Sequence, residues 1–129
     1  MSKKSKGIGA ERELIHGFWA TNEWVAHRIA GSGSSKYPSP DIIASNNIRK
    51  LAIECKTCSE KTVYIKKKEI EELKRFGTMF GAESWVAVKF SKTDWLFLNP
   101  EDLDETQVNY SLKKEVALSK GLLFEELIN

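Results

Sequence analysis

At 129 residues, 41% of them hydrophobic, the chain has the size of one domain with one core and leaves no room for a second. No apolar run approaches the roughly 20 residues that cross a bilayer, and the opening MSKKSKG leads into no hydrophobic signal core, so a soluble cytoplasmic protein is expected. The net charge of +2 hides an asymmetry: residues 101–129 hold seven Asp or Glu against three Lys, so the positive excess lies in the first hundred residues. There the basic residues cluster at Lys3, Lys4 and Lys6, at Lys36, at Arg49 and Lys50, and at Lys66 to Lys68. Each cluster alone reads as a solvated surface; together they fit a polyanionic partner.

Taken along the chain, residues 1–6 read as a flexible basic arm on a single domain spanning 1–129. Residues 7–22 follow a helical pattern, with Leu14, Ile15, Phe18 and Trp19 as an apolar stripe that Glu11 joins and Glu13 does not. A first strand is expected over 24–30, followed by the Gly/Ser/Pro loop GSGSSKYPSP, which is expected to be mobile. DIIAS and RKLAIECK form a hairpin, with Asn46 and Asn47 as a turn pair suited to positive φ. TVYI is a short strand that runs into an amphipathic helix carrying Ile70, Leu73, Phe76, Met79 and Phe80 on its apolar face. SWVAVKF and DWLFL are two more strands, and the charged tail ends in a helix that Ser119 is expected to cap. This succession implies a mixed sheet with helices packed on it. Cys55 and Cys58 have C-x-x-C spacing, but a zinc site needs four ligands and a redox site needs a strand leading into a helix. They read as free thiols, Cys55 in the core and Cys58 near a turn.

The chemistry concentrates in the hairpin. Side chains alternate across a strand, so Leu51, Ile53 and Cys55 share one face while Glu54 and Lys56 share the other. Asp41, at the start of the partner strand, is expected near the Lys56 end of its neighbour. Two carboxylates and an ammonium then converge, and Glu11 joins them if the first helix lies against that face. Such acids repel one another unless a cation sits among them, and a hard divalent ion with oxygen ligands is the natural occupant. Mg²⁺, with Mn²⁺ as a substitute, would lower the pKa of a bound water and offset charge on phosphorus, while Lys56 orients the water or neutralises the transition state. The chemistry implied is phosphodiester hydrolysis. Each residue also has a structural reading: Pro-Asp as turn chemistry, Glu54 and Lys56 as a solvated ion pair, Glu11 as the edge of a stripe. The combination of Pro40-Asp41 with Glu54-x-Lys56 across a hairpin is the more informative signal.

PD at Pro40-Asp41 and ECK at Glu54-Cys55-Lys56 resemble the signature of the PD-(D/E)xK nucleases and, among these, the archaeal Holliday-junction resolvases. GIGAERELI, HRIAGSGSS, PDIIA, IECKT, FGTMFG and VAVKF carry the likeness, which weakens after Trp95. It implies an α/β, restriction-endonuclease-like single domain with a central mixed sheet flanked by helices. By the same resemblance Glu11, Asp41 and Glu54 would bind magnesium, Lys56 would be the catalytic lysine, and Ser32 would reach towards the scissile phosphate. Arg12 and Arg28 match basic positions associated with DNA. Lys3, Lys4, Lys6, Ser34, Lys36 and Lys66 complete the expected DNA contacts, and Cys55 is a less usual residue between the Glu and the Lys.

The expected activity is metal-dependent resolution of four-way DNA junctions by paired cuts. The competing expectations are a related nuclease acting on duplex, flap or mismatched DNA, and a DNA-binding dimer without catalysis. Two cuts need two sites, and one chain of this size holds one, so a two-fold homodimer is expected, with Phe76, Met79 and Phe80 at its interface.

Overall fold

A computed structural model describes residues 3–31 and 36–129, with the side chains of residues 3–7 outside the described part. Helix α1 (Lys3–Ala20) places Ala10, Leu14 and Phe18 four residues apart, so they share one face, and Leu14 and Phe18 are buried there. It begins four residues earlier than its pattern suggests, so the backbone of Lys3 to Lys6 forms its first turn. Thr21 ends the helix: its hydroxyl donates to the Phe18 carbonyl and accepts from the N–H groups of Glu23 and Trp24.

Strands β1 (Val25–Arg28), β2 (Ile42–Ser45), β3 (Lys50–Cys58), β5 (Glu83–Phe90) and β6 (Leu96–Leu98) make one mixed sheet in the order β1-β2-β3-β5-β6. Only the β3–β5 pairing is parallel, and helix α2 (Lys67–Phe80) provides its crossover. As the middle strand, β3 is covered on both faces: Leu51, Ala52 and Ile53 have no exposed surface. α1 covers the face of Leu51, Ile53 and Cys55, and α2 covers that of Ala52, Val86 and Val88. Gly77 lets α2 approach the start of β5, since a Cβ there would strike the Ser84 side chain. Gly81, at φ 76°, then ends the helix in the left-handed conformation.

Four details depart from the sequence-based reading. Neither Asn46 nor Asn47 has positive φ; instead Asn46 Oδ1 accepts from the N–H groups of Ile48 and Arg49 at 2.9 and 2.6 Å and closes the turn with its side chain. A second antiparallel sheet, β4-β8-β7, joins β4 (Thr62–Lys66) to β8 (Asn109–Lys113) and β7 (Asp104–Glu105), inside what reads as charged tail. Ser119 caps nothing, because it lies within α3 (Lys114–Lys120). Gly121 ends that helix, Leu122 bridges to Phe97, and a separate short helix α4 (Phe124–Leu127) follows.

Candidate active site

In the β2–β3 hairpin Ile42 pairs with Ile53 and Ser45 with Lys50, a register that sets Asp41 opposite Glu54 just beyond the last pair. Asp41 is anchored rather than loose. Its N–H donates to the Ile53 carbonyl at 3.0 Å, its carbonyl accepts from the Ile29 N–H at 2.8 Å, and its Oδ2 accepts from the Cys55 N–H at 2.8 Å. Glu54 shares a side-chain hydrogen bond with it.

The site is electrostatically frustrated. Burial, reinforced by the charge of Asp41, pushes the Glu54 pKa up to about 9, and Lys56 only partly offsets this. Lys56 Nζ lies 2.7 Å from Glu69 Oε2, on the first turn of α2. Burial works against the ammonium, but Glu69, Glu54 and Asp41 outweigh it and raise its pKa. Glu69 belongs to the site although the sequence reading passed over it. It stands four residues before Leu73 and seven before Phe76, the same relation to an apolar stripe that singled out Glu11.

Glu11 reaches the cluster by a different route from the one expected. α1 lies on the Cys55 face, opposite Glu54 and Lys56, so Glu11 meets Asp41 from the far side of the sheet. One ligand atom each from Glu11, Asp41 and Cys55 lie within 4.8 Å of one another. Burial and then Asp41 raise the Glu11 pKa, while Arg28 opposes them through a 3.1 Å hydrogen bond from Nε to Glu11 Oε2. Asp41 is therefore the hinge of the site, with Glu54 and Lys56 on one side and Glu11 and Arg28 on the other.

The remaining candidates sort by position. Arg12, Lys36 and Lys66 are exposed. Ser32 and Ser34 lie outside the described residues, as do the side chains of Lys3, Lys4 and Lys6. Arg49 and Lys50, read as part of the basic excess, are committed within the fold: Arg49 grips Glu83, and Lys50 Nζ donates to the Phe80 carbonyl at 2.9 Å. Phe76 leans on the α2-side core and stacks on Phe80 with centroids 5.2 Å apart, whereas Met79 and Phe80 are exposed. Cys55 is buried, in the core as expected, and Cys58 is half-buried. No described helix is long and apolar enough to cross a membrane.

The family model described as archaeal Holliday junction resolvase (hjc) matches residues 2–129. The chain is 39% identical to the crossover junction endodeoxyribonuclease Hjc of Archaeoglobus fulgidus, over 95% of both chains. It is 34% identical to the Hjc of Methanocaldococcus jannaschii, over 88% of this chain and 80% of that one. The solved structure of Archaeoglobus fulgidus Hjc, a Holliday junction resolvase from an archaeal hyperthermophile, superposes with a TM-score of 0.87 at 36% identity, covering 95% of this chain and all of that one. With the family model spanning residues 2–129 and the fold of a solved Hjc matched over 95% of its length, the chain belongs to the archaeal Holliday junction resolvase family.

Proposed function

We propose that the cluster around Asp41 is the cleavage site of a crossover junction endodeoxyribonuclease, which hydrolyses phosphodiesters in a four-way DNA junction. The observation that carries the site assignment is the pairing of Asp41 with Glu54 beside Lys56, which leaves Glu54 short of positive charge. A stable fold gains nothing from a carboxylate held at a pKa of about 9; a cation-binding one does.

The donors fit a hard cation, since the oxygen ligand Asp41 is repelled by Glu11 on one side and Glu54 on the other. Mg²⁺, or Mn²⁺ in its place, would be held by these three and would supply an activated water and charge neutralisation at phosphorus. The protein's own groups do the rest. Glu69 keeps Lys56 charged and in place, so its ammonium is a ready donor to an oxygen that gains charge as the phosphodiester is attacked. Arg28, already paired to Glu11, offers a planar guanidinium to the phosphate. Arg12, Lys36 and Lys66, with Lys3, Lys4 and Lys6, supply sequence-independent contacts to the DNA backbone, and Ser32 and Ser34 add hydroxyls from the glycine-rich loop.

The working unit is a homodimer, because a junction resolved by two cuts needs two such sites. Support for the surface comes from Met79 and Phe80, 76% and 45% exposed on one end of α2. The enzyme acts inside the cell, on the nucleoid.

A labelled four-way junction incubated with the protein and Mg²⁺, beside linear duplex and flap controls, tests this reading. Selective, chelator-sensitive cutting of the junction is expected. Equal cutting of all three would shift the substrate to branched and unbranched DNA alike, and binding without cutting would overturn the nuclease assignment. Sedimentation tests the dimer: Met79→Glu with Phe80→Glu should halve the mass of a folded protein, and an unchanged mass would place the interface elsewhere.

A further inference from the structure

We propose that this end of the hairpin has a second, inhibitory metal-binding mode, in which a thiophilic cation such as Zn²⁺ is held by Cys55 Sγ together with Glu11 and Asp41. The inhibitory half of the proposal rests on the cleavage-site assignment above; the binding half does not.

Among the described residues, Glu11, Asp41 and Cys55 are the group of three whose ligand atoms approach one another closely enough, within 4.8 Å, to share an ion. They come from α1, the start of β2 and the middle of β3, so no single local turn accounts for their meeting. The thiol supplies an independent observation. Cys55 is 9% exposed, its backbone N–H serves Asp41, and among the described residues its sulfur makes no hydrogen bond. Cys58 Sγ, by contrast, is spoken for by the Glu60 and Thr62 carbonyls, each at 3.5 Å. An apolar residue would fill the Cys55 position against Leu51 and Ile53 without placing a soft donor beside two carboxylates.

Ligand softness separates the two modes. Mg²⁺ takes oxygen ligands and has little use for sulfur, whereas Zn²⁺ and Cd²⁺ take a thiolate with carboxylates readily. Glu54 faces the other side of the sheet with Lys56 and is not part of the thiol set. Glu11 and Asp41 are common to both sets, so the two ions compete for them. On binding, the Cys55 S–H bond breaks, its proton passes to solvent, and the sulfur lone pair forms the bond to the metal; nothing is oxidised or reduced.

The test uses the full chain, stripped of metal. Titration with Cd²⁺ should produce a thiolate-to-metal charge-transfer band in the wild type and in Cys58→Ser, and none in Cys55→Ser. X-ray absorption of the Zn²⁺-loaded wild type, which needs no variant, should show one sulfur among oxygen neighbours. In junction cleavage at fixed Mg²⁺, each protein scaled to its own zinc-free rate, the half-inhibitory Zn²⁺ concentration should rise about tenfold or more in Cys55→Ser. An oxygen-only shell around zinc, or a band that follows Cys58 instead, would overturn the site. A sulfur-bound zinc that leaves cleavage untouched would overturn the inhibition. Should the wild type fail to cut any junction, the cleavage-site reading falls, while the absorption spectra still decide whether the thiol site exists.

Discussion

The two ends of the β2–β3 hairpin handle charge in opposite ways. At the turn end Arg49 donates from Nε and Nη2 to the two oxygens of Glu83, each at 2.8 Å, and from Nη1 to the Leu127 carbonyl at 2.6 Å. Its guanidinium also lies over the Trp24 ring, 5.6 Å from the centroid. The Arg49 hydrogen bond lowers the Glu83 pKa, as expected of a pair that is complete within the chain. At the open end, about five residues along the same strands, two carboxylates, Glu11 and Glu54, crowd Asp41, and burial together with the Asp41 charge raises the Glu54 pKa to about 9. Internal compensation at one end serves stability; its lack at the other is capacity for a ligand. Substitutions at the two ends should therefore move different observables.

The largest effects belong to the open end. Asp41→Asn and Glu54→Gln should each lower the single-turnover cleavage rate about 100-fold or more. Junction affinity in a gel-shift assay should hold or improve, because negative charge beside a phosphate is removed. Cleavage near the wild-type rate in either variant would detach catalysis from this end.

Stability against pH sharpens the contrast. A carboxyl whose folded pKa lies far above its unfolded value of about 4.5 keeps a proton in the fold that the unfolded chain has lost, so metal-free stability falls as pH rises from about 5 towards 9. The slope this one group contributes is at most about 1.4 kcal/mol per pH unit. Glu54→Gln should flatten the curve, and saturating Mg²⁺ should do the same in the wild type by favouring the ionised form. Denaturant unfolding at several pH values measures both. Parallel curves for wild type and variant would remove the frustration argument.

Arg49→Met tests the turn end. Its ion pair with Glu83 is partly exposed and so counts for little, but the carbonyl of Leu127 and the face of Trp24 also lose a partner. A loss of about 1 to 3 kcal/mol is expected, with cleavage per folded molecule preserved. A variant of full stability that no longer cuts would contradict the division between the ends.

Alternation along β3 is what made the open end legible. It separated Leu51, Ile53 and Cys55 from Glu54 and Lys56, and the hairpin then brought Asp41 to Glu54. Alternation cannot say which helix covers which face, so it leaves the side from which Glu11 arrives conditional; α1 covers the Cys55 face, and Glu11 meets Asp41 from there. Glu69 was missed because a Glu among lysines on a helix resembles a solvated ion pair, and only its place relative to Leu73 and Phe76 marks it out. β8 was hidden for the reverse reason: Tyr110 and Leu112 alternate as a strand should, but the acidic surroundings drew attention to charge. Ser119 shows that a capping residue means nothing until the chain has been seen to break there, and here Gly121 makes the break.

The smallest expected effect joins the two ends. Asn46 closes the turn through two hydrogen bonds from one side-chain oxygen, so it looks like the residue that sets the register on which Asp41 and Glu54 depend. The packing argues otherwise. Ile42 and Ile53 pair with no exposed surface, and a slip of one residue would carry them and Leu51 to the opposite face of the sheet. The core therefore holds the register whether or not the turn is well made. Asn46→Ala should lose about 1 kcal/mol in denaturant unfolding, the scale of the hydrogen bonds removed, and leave cleavage within about twofold. A much larger fall in cleavage at nearly full stability would mean that the turn steers the catalytic carboxylates, and that the two ends of the hairpin are mechanically one.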